Sequence, residues 1–199
     1  MKDFILKITA AKWNYYFSLV TDGMTGLVFL ILSFHFSEDL WSSIALFVVG
    51  VVCFTFIEYA VHAWLFHKNH FLKVFIEGHA HHHQNPFSYD AMPFFVSALM
   101  GLLAVELLSH VMPHRDAFAF IGGLAMGYFN YGLTHHIMHR KEFSSPYYKY
   151  LQKFHFVHHK KPKMNHGITT DIFDRIFGTY YQWSEEDLKG MEKLKRIKK

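Results

Sequence analysis

Apolar residues in this chain gather into long runs without a polar face, separated by short polar connections. Four runs, near residues 17–36, 42–66, 92–112 and 117–139, predict helices that enter a bilayer, because its hydrocarbon core takes about 20 helical residues to cross. The first is the weakest: Asp22, Gly23 and Gly26 interrupt it, and what remains up to Phe36 is short for a full crossing. The next two carry Glu58 and Glu106, and an acid in such a segment faces protein or water rather than lipid. Glu106 stands one helical turn before His110, a spacing that pairs the two. Ahead of the runs, Met1 to Phe17 mixes Lys2, Lys7 and Lys12 with Phe4, Ile5, Leu6 and Ile8. That stretch lacks the continuous apolar centre of a cleavable signal, and residues 1–16 read as an interfacial helix. No tandem repeat, low-complexity stretch or inter-domain linker is present, and Pro162 to Asn165 is a short turn-like break. The expected fold is all-α: an integral membrane four-helix bundle over 17–139, with a cytosolic histidine-rich helical cap and a basic tail over 140–199, making one domain of residues 1–199. A soluble helical bundle is the alternative, since mean hydropathy is only +0.08. Histidines and the basic tail pull that average down, not polar faces on the spans.

Charge orients the spans. Lys2, Lys7 and Lys12 precede the first, Lys68 and Lys73 follow the second, and 14 of the 20 Lys and Arg lie from Arg140 onward, against seven Asp and Glu there. The connection after the first span holds Ser37, Glu38 and Asp39 and no basic residue, and that after the third only Arg115. Both termini of a multi-pass protein are then expected on the cytoplasmic side. The basic tail suits an anionic membrane surface; no nucleic-acid partner is expected, because the basic residues follow long apolar segments. Cys53, the single cysteine, lies in an apolar run and excludes an intramolecular disulfide.

One residue type changes the picture. The 17 histidines outnumber the 16 acidic residues, which ordinary core packing does not explain. Ten of them fall into four sets with ligand spacing. His62 and His67 close the second span, and their five-residue separation serves one metal region only if the helix ends or distorts near His67. In Glu77-Gly-His79-Ala-His81-His82-His83, His79 faces the same way as His82 and His83 on a helix, and His81 points away. His135 and His139 share a face at the end of the fourth span, with His136 outside it, and His155, His158 and His159 repeat the His-x-x-His-His pattern. His35, His70, His110 and His114 stand alone and read as ordinary packed histidines. With the orientation drawn from Lys and Arg alone, all four sets reach the cytoplasmic side. Neutral imidazole is a common ligand for zinc, iron, copper and nickel. Ten are too many for one ion, which takes roughly four to six ligands, and suit two ions at about five each, with an open position for dioxygen, water or substrate.

The order His-x4-His, His-x-x-His-His, His-x3-His, His-x-x-His-His between His62 and His159 resembles that of the membrane fatty-acid hydroxylase and sterol desaturase superfamily. The stretches Gly127 to His135, Pro146 to His155 and Gly167 to Thr179 look most like the fatty-acid 2-hydroxylases, so the resemblance covers residues 55 to 180 or thereabouts. It implies a four-helix membrane fold with a cytosolic histidine-rich part. It implies two iron ions on the ten histidines, with zinc able to replace iron in purified protein. It further implies dioxygen as co-substrate in the hydroxylation of a membrane lipid's acyl chain. Some members carry a fused haem domain; this chain has no His-Pro-Gly-Gly motif, so a separate electron donor of cytochrome b or ferredoxin type is expected.

Two departures leave the substrate headgroup open. Tyr131-Gly132 stands where the 2-hydroxylases usually read Tyr-Asp, and Gln84 to Asp90 replaces their Arg-containing loop. Tyr128 and Tyr131 are candidates for substrate contact or for helix packing. His166, Asp171 and Asp174 are candidates for orienting the ligands or for capping the local turn. A lipid or sterol desaturase with the same metal centre is the nearest alternative, sharing the hydrogen abstraction. A non-enzymatic metal-binding or transport protein is a further one, although transport calls for polar groups along the spans rather than at their ends.

Overall fold

A computed structural model describes residues 7–36, 39–67 and 73–191. The first six residues, Lys68, His70 and the basic tail from residue 192 lie outside the described residues. Every regular element described is helical: α1 (Lys12–His35), α2 (Leu40–Ala60) continuing into a π-helical turn (Val61–Phe66), α3 (Lys73–Gln84), α4 (Val96–Leu108), α5 (His114–Met138), α6 (Pro146–Lys160) and the short α7 (Ile172–Ile176). The chain forms two compact units, Met1–Phe54 with Tyr89–Asn130 and Thr55–Ser88 with Tyr131–Lys199. Among the described residues two helices, α1 and the continuous Leu40–Phe66, are long and apolar enough to cross a membrane.

In the first unit α1 begins within the stretch expected at the interface. Asp22, Gly23 and Gly26 do not interrupt it, because they lie on its buried side with Asn14, Ser18, Thr25 and Ser33. Asn14 and Ser18 of that side, with Thr21 beside them, serve an irregular strip of backbone ahead of α4. Asn14 donates to the Met92 carbonyl (3.0 Å) and accepts from the Phe94 amide (3.0 Å); Ser18 donates to Met92 (2.8 Å) and Thr21 to Phe94 (2.7 Å). Backbone without helical hydrogen bonds needs such partners among apolar helices. Pro93 lies in this strip, and regular helix begins only at Val96, so α4 is shorter than the apolar run that announced it. At about 1.5 Å per residue its 13 residues span roughly 20 Å. Because α4 ends at Leu108, the helical spacing that would pair Glu106 with His110 is not made, and Glu106 lies 3.8 Å from His114 instead.

Phe29, Val105, Ala117 and Ile121 form the apolar centre of this unit. Beside them α2 and α5 touch backbone to backbone. A Cβ added to Gly50 would stand 2.2 Å from the Phe120 carbonyl oxygen, and one added to Gly123 2.0 Å from that of Phe47. Small residues at facing positions are what permit such an approach between apolar helices.

The second unit is built around Met138, Leu151 and Ile168. Gln152, fully enclosed, donates to the carbonyls of Met138 (2.6 Å) and Lys141 (2.8 Å) and so finishes α5 just where His139 leaves it. After α6 the chain turns through Asn165, the one described non-glycine residue with a left-handed φ (58°). Its side chain accepts from the Tyr181 amide (2.7 Å) and donates to the Tyr181 carbonyl (3.2 Å). Asn is among the few residues that tolerate this conformation.

Candidate metal centre

The second unit brings the ten histidines together as two pentads. His62, His67, His79, His83 and His158 form the first; His82, His135, His139, His155 and His159 form the second. Within each, the nearest ring nitrogens all lie within 4.8 Å of one another. His81 and His136 belong to neither.

Local structure explains the sorting. The five-residue gap between His62 and His67 is bridged by the π-helical turn, whose i→i+5 ladder brings residues five apart onto one side. In α3, His79 and His83 are four apart and enter the first pentad, while His82 turns to the second. In α6 the pattern is mirrored: His155 and His159 enter the second pentad and His158 the first. His135 and His139, also four apart, complete the second. Each His-x-x-His-His motif therefore supplies both sites.

In the first pentad the Nε2 atoms of His79 and His83 are 2.9 Å apart, those of His79 and His67 3.0 Å, His83 and His158 3.1 Å, and the His62–His79 and His67–His158 pairs 3.2 Å. In the second, His155 Nε2 lies 3.0 Å from His139 and His159 and 3.1 Å from His135. These are not ordinary hydrogen bonds. His158 Nδ1 donates to the Met164 carbonyl (2.8 Å) and His62 Nδ1 to that of His166 (2.5 Å). A carbonyl only accepts, so the ring proton sits on Nδ1 and each Nε2 directs a lone pair inward. Burial and the neighbouring imidazoles push His79, His82, His155, His158 and His159 well below the usual histidine range, and burial brings His67 and His83 down to about 4. Neutral rings whose lone pairs converge repel unless a cation lies between them. His82 Nε2, buried with no hydrogen-bond partner, fits the same picture.

The spacing also bears on the kind of ion. At a metal–nitrogen bond of about 2.1 Å, ligands at right angles sit roughly 3.0 Å apart and tetrahedral ones roughly 3.4 Å. The shortest separations match right angles, the others extend to 4.8 Å, and five imidazoles exceed a tetrahedral set. Both points favour a five- or six-coordinate ion over structural zinc.

Around the first pentad lies a buried polar frame. His166 packs its ring 5.4 Å from His158 and 5.7 Å from His62. Asp174 accepts from the amides of His166 and Gly167 (both 2.8 Å) and from Thr179 Oγ1 (2.7 Å), and lies 3.4 Å from His166 Nδ1. Asp171 faces elsewhere, accepting from Tyr150 (2.5 Å) and Arg175 (2.7 Å). Tyr131 stacks on His135 with ring centres 5.8 Å apart; Tyr128 belongs to the first unit, against Phe54. The sequence placed Glu58 toward protein or water and named no partner for it. The structure gives it three donors: the amides of Ile168 (2.5 Å) and Thr169 (2.9 Å) and the Thr169 hydroxyl (2.6 Å). Its position one turn before His62 was the available signal. Nothing local announced Gln152, and the turn-like break from Pro162 to Asn165 did not announce the bonds of Asn165 to Tyr181.

These shifts carry a pH dependence. Unfolding returns His67 and His83 from about 4 toward 6.5, so between those values the unfolded chain binds more protons. The metal-free fold is expected to be fully stable above that window and to weaken as pH falls through it. Thermal unfolding in detergent checks this, and a flat profile from neutral to about pH 4.5 would contradict it.

Described helices that gather ten imidazoles into two pentads have the form of a histidine-rich metal centre. The chain belongs to the fatty acid hydroxylase family, whose profile matches residues 47–179. It is 32% identical to mouse fatty acid 2-hydroxylase over 84% of its length and 48% of the relative's. It is 31% identical to the ceramide very long chain fatty acid hydroxylase scs7 of Schizosaccharomyces pombe over 69% of its length and 42% of the relative's, and 32% identical to the dihydroceramide fatty acyl 2-hydroxylase FAH2 of Arabidopsis thaliana over 65% and 58%. It thus spans about half the length of these curated relatives. A solved structure of full-length scs7p, with only the hydroxylase domain visible, matches 90% of this chain and 70% of its own, with a TM-score of 0.75 at 25% identity.

Proposed function

We propose that this protein is a membrane-embedded, dioxygen-dependent di-iron hydroxylase of a lipid acyl chain. The observation that carries the reading is the pair of imidazole pentads at right-angle ligand spacing, on a chain whose relatives are named as hydroxylases of fatty acids and ceramides. His62, His67, His79, His83 and His158 would hold one ion, and His82, His135, His139, His155 and His159 the other. Bound iron would supply the redox chemistry that places one atom of dioxygen into an unactivated C–H bond, while two electrons from a separate cytochrome b- or ferredoxin-type protein and two protons take the other atom to water.

The chain's own contribution is placement. The loop carbonyls of Met164 and His166 hold the protons of His158 and His62 away from the site. Tyr131, stacked on His135, and Tyr128 are the proposed substrate contacts. His166 and Asp174 would orient the ligands, with Asp171 bracing the same segment through Tyr150 and Arg175. The proposed topology is one domain of four membrane helices with a cytosolic cap from residue 140, both termini and the centre on the cytoplasmic side. The outward apolar side chains support the membrane part: Trp41 and Val111 are each 80% exposed, Ile31 62% and Val52 60%, a surface that suits lipid and not water.

The test expresses the protein with its native lipids under labelled dioxygen and follows the lipids by mass spectrometry. A lipid gaining one labelled oxygen is the expected product. Loss of two hydrogens would identify a desaturase instead, and no dioxygen-dependent change would remove both enzyme readings.

A further inference from the structure

The two pentads are framed differently, and we infer that they bind metal unequally: the His62 pentad is the tighter site, made so by Glu58 and Asp174, which touch no ligand ring themselves. The inference rests on the reading of the pentads as metal sites.

In the first pentad two of five rings have their tautomer chosen for them. The acceptors are the carbonyls of His166 for His62 and of Met164 for His158, and both lie in the turn directly after α6. That turn is itself gripped from two sides. Asp174, with no exposed surface, binds the amides of His166 and Gly167 together with Thr179. Glu58, 4% exposed, binds Ile168 and Thr169 through three hydrogen bonds. Because Glu58 sits one turn before His62 on the same helix, it ties the helix that presents the ring to the loop that takes the ring's proton. A Cβ on Gly167 would come within 1.9 Å of the Thr170 carbonyl, so the turn has no slack there. A buried carboxylate is costly to enclose unless fully hydrogen-bonded, and here two of them are spent on one loop.

The second pentad lacks an equivalent frame at two of its rings. His155 Nδ1 is buried with no partner, and His159 Nδ1 nears the His83 backbone without a hydrogen bond of normal geometry. No carbonyl fixes the proton of His155 on Nδ1 as those of His166 and Met164 do for His62 and His158, and His159 is held only loosely, so His155 in particular also populates the tautomer that blocks Nε2. Removing the outer partners of metal-bound histidines typically weakens metal binding by about 10- to 100-fold, and the same difference is expected between the two sites.

The full chain in lipid or detergent, loaded with ferrous iron, is exposed to graded chelator and its metal content counted. Two separated steps of one ion each are expected. His155→Ala should delete the early step and His62→Ala the late one, which assigns them. Glu58→Gln keeps an acceptor oxygen but not the charge, and should move the late step to about 10- to 100-fold less chelator while leaving the early step in place. Asp174→Asn attacks the same loop from its other side and decides the matter if the Glu58 variant does not fold. Simultaneous loss of both ions from the parent protein, an early step that disappears with His62→Ala, or folded variants whose late step does not move would each overturn the inference. A parent protein that takes up no stoichiometric metal would instead overturn the metal-site reading beneath it.

Discussion

Replacing His158 with alanine is expected to empty one ion site and to lower hydroxylated lipid to background, at least about a hundredfold, since even an outer partner of a metal ligand costs up to that much. The side chain is completely buried, with Nε2 3.1 Å from His83 and 3.2 Å from His67, so it stands in the middle of the first pentad. Its Nδ1 is also one of the two points where the loop after α6 holds the site. Alanine removes ligand and anchor together. His81→Ala is the matched control: it is exposed on α3, next to His82, and belongs to neither pentad. It should keep both metal and product. Metal analysis alongside product mass spectrometry checks the pair, and full activity of the His158 variant would sink the assignment.

Gly123→Leu is expected to prevent the first unit from assembling. Even the first carbon of a side chain there would meet the Phe47 carbonyl at 2.0 Å, and the obstacle is backbone, which no rotamer change relieves. Overpacking at sites that can relax costs about 1–3 kcal/mol; here α2 and α5 must separate, and with them the facing Gly50. Folded yield and thermal stability in detergent report the effect. Gly78→Ala offers the contrast, because nothing lies within 4 Å of the added carbon and α3 gains a better helix former. If Gly123→Leu assembles with the parent's stability, the close approach of α2 and α5 is not a requirement of the fold.

How much of this was legible beforehand depended on the range of the signal. The ligand sets were plain because metal geometry demands one residue type at short, regular spacing, and the need for a helical distortion at His67 followed from five residues being a poor helical repeat. Partition into pentads was not legible. On an isolated helix His79 faces both His82 and His83, and only the neighbouring helices decide that His82 turns the other way. The short α4 was hidden because an apolar run does not reveal that its first residues, around Pro93, take their hydrogen bonds from Asn14, Ser18 and Thr21, some seventy residues earlier. Glu58 was visible as an anomaly, but its partners at 168–169 are separated from it by more than a hundred positions. Asp22 and the two glycines after it looked like an interruption, because composition alone does not distinguish a helix breaker from a buried contact face.

The crossed supply of ligands has a mechanical corollary. Neighbouring residues on α3, His82 and His83, and on α6, His158 and His159, point into different sites, and the rings of His83 and His159 sit 4.4 Å apart across the divide. Two rigid rods are thus pinned through the same pair of sockets. Sliding or rotating either rod drags one socket's walls along with the other's, and inserting a single residue into either motif would misalign both at once. Separate adjustment is left to the outer pairs, His62 with His67 and His135 with His139, each of which serves one socket alone.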